Sequence, residues 1–213
     1  MSSWPSACIV AAGMLCFGAR PAASAPCSMA TVSVDTSEAE LFMGVRCGEG
    51  PGQTFVAEDT LIHSVTVWRA SGQTPYGGHL KLWIAGVDSS GAPDFENILL
   101  DGPVITVPFG DGVHPIKMEF VLDPPFRLPG PGRYYFAAQD YCGGHWGLLA
   151  SASDPYPGGH AWRSGISCFD GCYLSPYPYS FDSYDLVFTI AFCRDVATGA
   201  GRRSWGQLKL LYR

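Results

Sequence analysis

The stretch that decides the fold is residues 185–193, DLVFTIAFC. Large apolar side chains occupy every second position, with polar or smaller side chains between them. Because successive side chains of a β-strand point to opposite faces, this period of two predicts a strand with one face in a core. The inward row comprises Leu186, Phe188, Ile190 and Phe192. We expect this segment to be a central strand of a sheet.

Three other segments show the same alternation. Their inward rows are Leu80, Leu82 and Ile84; Met118, Phe120 and Leu122; and Tyr134, Phe136 and Ala138. Clusters of turn-forming residues separate these segments, and no amphipathic helix of useful length or βαβ spacing is present. The pattern predicts an all-β domain built as an antiparallel two-sheet sandwich, with a jelly roll as the expected subtype.

The two ends of the chain differ in composition from its middle. Residues 1–25 contain an apolar run followed by small residues, the order of a secretory signal peptide, and the run is too short to span a membrane. We therefore expect a sandwich domain over residues 26–194 of an exported protein, secreted or periplasmic or at the cell surface. Residues 195–213 form a flexible linker and a basic, aromatic tail. That tail is either a sorting or docking peptide or a frayed terminus.

Six cysteines remain once the signal peptide is removed. They are Cys27, Cys47, Cys142, Cys168, Cys172 and Cys193. An even set in an exported chain predicts disulfides, although the spacing does not choose the pairing. The wide separation of the first two from Cys142 and Cys193 suggests at least one bridge that closes a long loop.

Charge and motif content narrow the function. The chain carries 19 acidic and 13 basic residues, a balance that disfavours nucleic acid and anionic lipid as partners. It has no Gly-x-Ser-x-Gly elbow, no His-Glu-x-x-His helix and no phosphate-binding glycine loop before a helix. A non-catalytic protein is therefore favoured. A hydrolase assembled from distant acidic residues, such as Glu58, Glu96, Asp101, Glu119, Asp140 and Asp154, remains an alternative.

The candidate ligand site lies in the irregular, Gly- and Pro-rich region 141–184. Its rings are Trp146, Tyr156, Trp162, Tyr177 and Tyr179, and the polar side chains nearby are Asp140, His145, Asp154, His160 and Arg163. Sugars stack their C–H faces on aromatic rings and need polar partners for their hydroxyl groups, so this mixture predicts a polysaccharide or cell-surface glycan as ligand. The alternative is that these rings pack on prolines and cover one end of the sandwich.

The sequence allows metal binding in two forms, and no other cofactor is expected. Calcium would use the carboxylates of Asp154, Asp182 and Asp185. Zinc would use Cys168, Cys172, His145 and His160, although disulfides are favoured for these cysteines in an oxidising compartment. The environment of Trp83 is left open: it lies either exposed on a sheet or under a loop. His63 shares parity with apolar neighbours and is expected in the core.

Several short stretches resemble uncharacterised exported bacterial proteins with carbohydrate-binding-like β-sandwiches and a Ser-Trp-Gly-type C-terminal tail. The stretches are GQTF (52–55), LLDGP (99–103), DPPF (123–126), DPYPGGHAW (154–162), DLVF (185–188) and SWG (204–206). The resemblance implies export and a sandwich fold, and it carries over no catalytic or binding residue.

Together these observations predict an exported, non-catalytic β-sandwich that binds a glycan or another extracellular surface through its aromatic loops. Two other hypotheses stay open. One is a structural or interaction protein of the bacterial cell envelope with no small ligand, and the other is a secreted hydrolase with a dispersed active site. Exposed, coplanar aromatic rings in a groove would favour the first hypothesis, and a smooth surface would favour the envelope hypothesis.

Overall fold

The protein is all-β in the computed structural model, which describes residues 27–45, 50–72, 77–141, 146–164, 178–181 and 183–194. The strands are β1 (Ser28–Val34), β2 (Leu41–Val45), β3 (Gly50–Ala57), β4 (Leu61–Arg69), β5 (Gly78–Val87), β6 (Pro93–Val107), β7 (Ile116–Arg127), β8 (Gly132–Asp140), β9 (Trp146–Ser151), β10 (Ala161–Ser164), β11 (Pro178–Phe181), β12 (Asp185–Leu186) and β13 (Phe188–Arg194). A 3-10 turn, Thr36–Glu38, lies between β1 and β2. Within these ranges no helix is long and apolar enough to cross a membrane.

The strands form two antiparallel sheets. The seven-stranded sheet has the order β1-β13-β4-β9-β12, with β2 paired to β9 and β7 paired to β4. The six-stranded sheet has the order β11-β10-β3-β8-β5-β6. The predicted antiparallel two-sheet sandwich is therefore confirmed, while the jelly-roll subtype stays a prediction. The proposed signal peptide and tail lie outside the described residues.

Aromatic side chains from both sheets meet in the core. Phe55 and Phe136 come from the six-stranded sheet, and their ring centroids lie 6.3 Å apart. Phe136 reaches Phe188 of the other sheet at 5.5 Å, and Phe55 reaches Phe192 at 6.4 Å. All four side chains are buried, as are all the other side chains of the predicted inward rows. The alternation therefore identified the core face of each of these strands correctly.

The segment 185–193 is a central strand, as predicted, but it changes partners along its length. Its first two residues, β12, pair with β9, whereas β13 lies between β1 and β4. Val187 separates the two parts and donates its backbone N–H to the carbonyl oxygen of Leu149 at 2.9 Å. One stretch of chain thus joins two parts of the seven-stranded sheet.

The prediction that His63 lies in the core was wrong. Its side chain is half-buried, and the buried apolar side chains of β4 are Ile62, Val65 and Val67. The register between β4 and β7 shifts between Ile62 and Ser64. Such an irregularity changes which residues face the core, so the parity of Val65 and Val67 does not extend back to His63.

One disulfide, Cys27–Cys193, joins the start of β1 to the end of β13 across a sequence separation of 166 residues. It confirms the expected bridge that closes a long loop. The other four cysteines of the predicted set, Cys47, Cys142, Cys168 and Cys172, lie outside the described residues.

Replacing Cys27 and Cys193 together by serine should lower the free energy of unfolding by about 3 to 5 kcal/mol, because the unfolded chain regains the entropy that this long loop closure removes. Urea denaturation of the oxidised variant and the wild type would measure the difference. Ser33→Ala, an exposed change on the same strand, is the control. An unchanged denaturation midpoint in the double variant would show that the bridge does not stabilise the fold.

Candidate functional site

The six-stranded sheet buries apolar side chains on its outer face as well as its inner one. Alternate residues of β8 point to the two faces, and both alternations are apolar. The outer cluster, here called the aromatic face, comprises Trp83, Ala85, Tyr135, Ala137 and Trp162. Antiparallel sheets commonly pack one face on a core and leave the other solvated. The aromatic face is therefore an addition to what the sandwich core itself requires.

Two tryptophans lie on this face with two small residues between them. In the strand register, Trp162 of β10 is opposite Gly52 of β3, Gly52 is opposite Ala137 of β8, and Ala137 is opposite Trp83 of β5. Adjacent strands lie about 4.8 Å apart, so β10 and β5 are separated by about 14 Å. The two residues between the tryptophans, here called the floor, are Gly52 and Ala137; both are buried, and the Tyr135 hydroxyl lies over Gly52.

Gly52 is required by the position of Tyr135. A Cβ atom at Gly52 would collide with the Tyr135 hydroxyl and with the carbonyl oxygen of Phe136. The Tyr135 ring is fully buried and meets Phe95 edge-on at 5.8 Å. Burial raises the pKa of its hydroxyl, and the nearby hydroxyl of Ser164 opposes that rise. Tyr135 thus forms the base of the aromatic face, and Gly52 leaves room for it.

Trp162 lies on β10 and packs against His160, which immediately precedes this strand. The two rings stack with centroids 5.0 Å apart. The backbone N–H of His160 donates to Thr54 Oγ1 at 3.0 Å, and Thr54 N donates to the His160 carbonyl at 3.1 Å. Trp162 is 8% exposed, so most of the residue lies within the cluster and not in solvent. Its Nε1 is buried and donates to no acceptor in the described part of the chain.

Trp83 is surrounded by polar groups at the other end of the floor. Its Nε1 donates to Gln139 Oε1 at 2.7 Å. The ammonium of Lys81 lies 4.2 Å from the Trp83 ring centroid and 2.6 Å from Asp101 Oδ1. The same ammonium is 5.6 Å from the ring of Tyr141. The Trp83 ring is largely buried, which excludes the interpretation that it stands exposed on the sheet.

Two of the aromatic residues predicted for the ligand site, Trp146 and Tyr156, pack inside the sandwich instead. Trp146 is 2% exposed within the main core, with the guanidinium of Arg69 6.0 Å from its ring. Tyr156 packs edge-on against Phe188 at 5.6 Å, and its hydroxyl accepts from Val56 N at 2.9 Å. Both rings therefore take part in the packing of the sandwich, and a role of Trp146 in ligand binding stays a prediction.

Arg163 and Asp140 also do not join the aromatic face. Arg163 follows Trp162 on the strand and therefore points to the opposite face, where its Nη2 donates to the carbonyl oxygen of Gly44 at 3.3 Å. Its guanidinium carbon lies 5.8 Å from the ring of Phe181. Asp140 is buried. Of the remaining predicted residues, Tyr177 and His145 lie outside the described residues, as does the side chain of Tyr179.

Asp185 is a buried carboxylate that links the two sheets. Its Oδ1 accepts from Gln53 Nε2 at 2.5 Å, and its Oδ2 accepts from Tyr156 N at 2.8 Å. The Gln53 side chain in turn accepts from Leu186 N at 2.9 Å. Burial raises the pKa of Asp185 to about 6, and the neighbouring carboxyl group of Asp154 adds to that rise. Both carboxylate oxygens are thus used in holding the fold together.

The structure brings together two of the three predicted calcium ligands. Asp154 is exposed with a positive φ of 49° and lies beside Asp185. Asp182 lies outside the described residues, as do Cys168 and Cys172 of the zinc hypothesis. Among the residues that are described, no three His, Cys, Asp or Glu side chains cluster. Calcium binding stays a prediction.

Comparison with known proteins adds no candidate function. The chain matches no protein-family profile, and no curated protein is similar to it. The site therefore has to be interpreted from its own residues. Sequence reasoning placed the site in region 141–184 and omitted Lys81, Tyr135 and Gln139. A usable signal was the second apolar row of β8, Tyr135 and Ala137, which lies between the predicted inward side chains and indicates burial on both faces.

Replacing Asp185 by asparagine should change how stability depends on pH. Because burial raises the pKa of Asp185 from its ordinary value near 4 to about 6, its ionisation costs more in the folded state than in the unfolded chain. The free energy of unfolding should therefore fall by about 1 to 2 kcal/mol as the pH rises from about 4 to 7, and Asp185→Asn should remove that fall.

Urea denaturation at several pH values in that window would measure this effect. Glu58→Gln, which removes an exposed carboxylate, is the matched control and should keep the wild-type pH dependence. The assignment fails if Asp185→Asn and the wild type show the same pH dependence.

Proposed function

We propose that this protein is an exported, non-catalytic β-sandwich that binds a glycan or another extracellular surface through the aromatic face. The observation that carries the proposal is the arrangement of Trp162 and Trp83 on either side of the floor made by Gly52 and Ala137. The buried Nε1 of Trp162, which finds no acceptor among the described residues, supports it. A buried N–H without a partner is costly, and a ligand oxygen would relieve that cost.

The chemistry of the face favours a sugar over a purely apolar ligand. Rings supply flat apolar surface for the C–H face of a sugar, while hydroxyl groups need donors and acceptors close to those rings. Both kinds of group are present: the Lys81–Asp101 pair lies beside Trp83, and His160 is stacked on Trp162.

The proposed site differs in position from the one that the sequence predicted. The predicted site was a set of loops, whereas the aromatic face is the outer surface of a sheet. Trp162 and His160 are retained from the predicted set. Trp83 joins them from β5, far away in sequence.

Export is the second part of the proposal. The Cys27–Cys193 disulfide supports it, because such bridges persist in oxidising compartments such as the periplasm and the extracellular space. The signal-peptide composition of residues 1–25 points the same way. The proposed location is the periplasm, the cell surface or the medium.

A second candidate is a structural or interaction protein of the cell envelope with no small ligand. The observation that favours it is the low exposure of both tryptophans, 8% each, since a cluster of this kind also serves as a second core. The two candidates differ in what a change at Trp162 does. In the second one, the ring contributes to stability alone.

Trp162→Phe separates the two candidates. It keeps an apolar ring and removes an N–H that has no partner in the described fold, so the free energy of unfolding should fall by no more than about 2 kcal/mol. Retention of the mature, oxidised protein on insoluble polysaccharides, with and without calcium, should be lost. Trp68→Phe, on a half-buried tryptophan of the seven-stranded sheet, is the matched control and should be retained like the wild type.

Equal retention of Trp162→Phe and the wild type would refute the proposed site. Absence of wild-type retention on every polysaccharide would refute glycan binding and favour the envelope candidate. Retention that requires calcium would support the predicted calcium site.

A further inference from the structure

One corner of the aromatic face has a polar composition that the two tryptophans do not explain. This polar corner consists of Lys81, Asp101 and Tyr141, gathered beside Trp83. Lys81 is on β5 and Asp101 on its neighbour β6, so strand pairing brings together two residues that are twenty positions apart. Tyr141 follows β8, on the other side of β5, and its backbone N–H donates to the carbonyl oxygen of His79 at 3.0 Å. Three neighbouring strands thus define the corner.

The Lys81 ammonium is fixed in place from three directions. It lies 2.6 Å from Asp101 Oδ1, 4.2 Å from the Trp83 ring centroid and 5.6 Å from that of Tyr141. Contacts over ring faces attract a cation, and a carboxylate contact adds to them. The Lys81 side chain is 13% exposed, in contrast to a typical surface lysine. The donor therefore has a defined position before any ligand arrives.

The other two members of the corner are open to solvent. The Asp101 side chain is 62% exposed, and Tyr141 is 38% exposed. A carboxylate accepts hydrogen bonds, an ammonium donates them, and a tyrosine ring offers a flat apolar surface. A hydroxyl group both donates and accepts, so two adjacent hydroxyl groups can satisfy Asp101 and Lys81 together. The C–H face of the same sugar would then lie on Tyr141.

We propose that the polar corner is a subsite for one neutral sugar residue, which places two adjacent hydroxyl groups against Lys81 and Asp101 and its C–H face against Tyr141. The charges of Lys81 and Asp101 cancel, so the corner offers no excess positive charge to a uronic acid or a phosphate. This inference rests on the proposed function of the aromatic face and names its ligand class.

The test uses the mature, oxidised chain and four defined probes. Three are the neutral hexasaccharides cellohexaose, mannohexaose and xylohexaose, and the fourth is acidic tetragalacturonate. Titration calorimetry gives the affinities, and the NMR signal of the Trp83 indole N–H, assigned with Trp83→Phe, reports on the corner itself. We expect at least one neutral probe to bind and to shift that signal, and tetragalacturonate to do neither.

Two variants test the corner, each with its own stability check by urea denaturation. Asp101→Asn and Tyr141→Ala should each weaken binding of the neutral probe by about tenfold or more, since each removes a direct contact. Glu119→Gln is the matched control: it removes a carboxylate from another exposed ion pair, Lys117–Glu119, on the seven-stranded sheet. It should bind like the wild type.

The outcomes separate this inference from the proposed function. If Trp162→Phe abolishes binding while Asp101→Asn and Tyr141→Ala bind like the wild type, the polar corner is overturned and the aromatic face stands. Binding of tetragalacturonate as tight as that of the neutral probes overturns the neutral ligand class. If the wild type binds none of the four probes, both the subsite and the glycan-binding proposal fall.

Discussion

The hydrogen bonds that join the Gln53 side chain to Asp185 Oδ1 and to Leu186 N are the constraint on which the rest of the structure depends. They connect β3 of one sheet to β12 of the other inside the sandwich, where unpaired polar groups would be costly. Asp185 lies on β12, which pairs with β9, just before the chain continues as β13 between two other strands. Its Oδ2 accepts a hydrogen bond from Tyr156 N. That bond fixes the segment leading into β10. The position of Trp162 on the aromatic face therefore depends on a polar link in the interior.

The alternation of side chains was enough to predict the fold class and most of the core. Strands such as β7, with Met118, Phe120 and Leu122 inward and the residues between them exposed, bury one face only, and a period of two describes this part of the strand. Two features escaped this reasoning. The irregularity near His63 interrupts the parity of β4, and β8 is apolar at both parities because both of its faces are covered. Neither feature follows from a rule that assumes an uninterrupted strand with one face exposed to solvent.

The candidate site was predicted only in part, because amino-acid composition does not show to which face of a sheet a side chain points. Region 141–184 is rich in rings, yet the sheet divides them: Trp162 points outward, while Trp146 lies in the core and Arg163 points to the other side. The other members of the aromatic face come from β5 and β8, and pairing of β5 with β6 joins Lys81 to Asp101 in the polar corner. Such proximity is set by sheet order, which a single sequence does not specify.

The bridge between Cys27 and Cys193 also has a mechanical consequence. It joins the first strand of the described domain to the last one. A pulling force applied to the chain before Cys27 and after Cys193 would pass through this covalent bond, and the strands enclosed between the two cysteines would carry none of it. A protein attached at one end and pulled at the other would thus keep its sheets, and the aromatic face built on them, free of load.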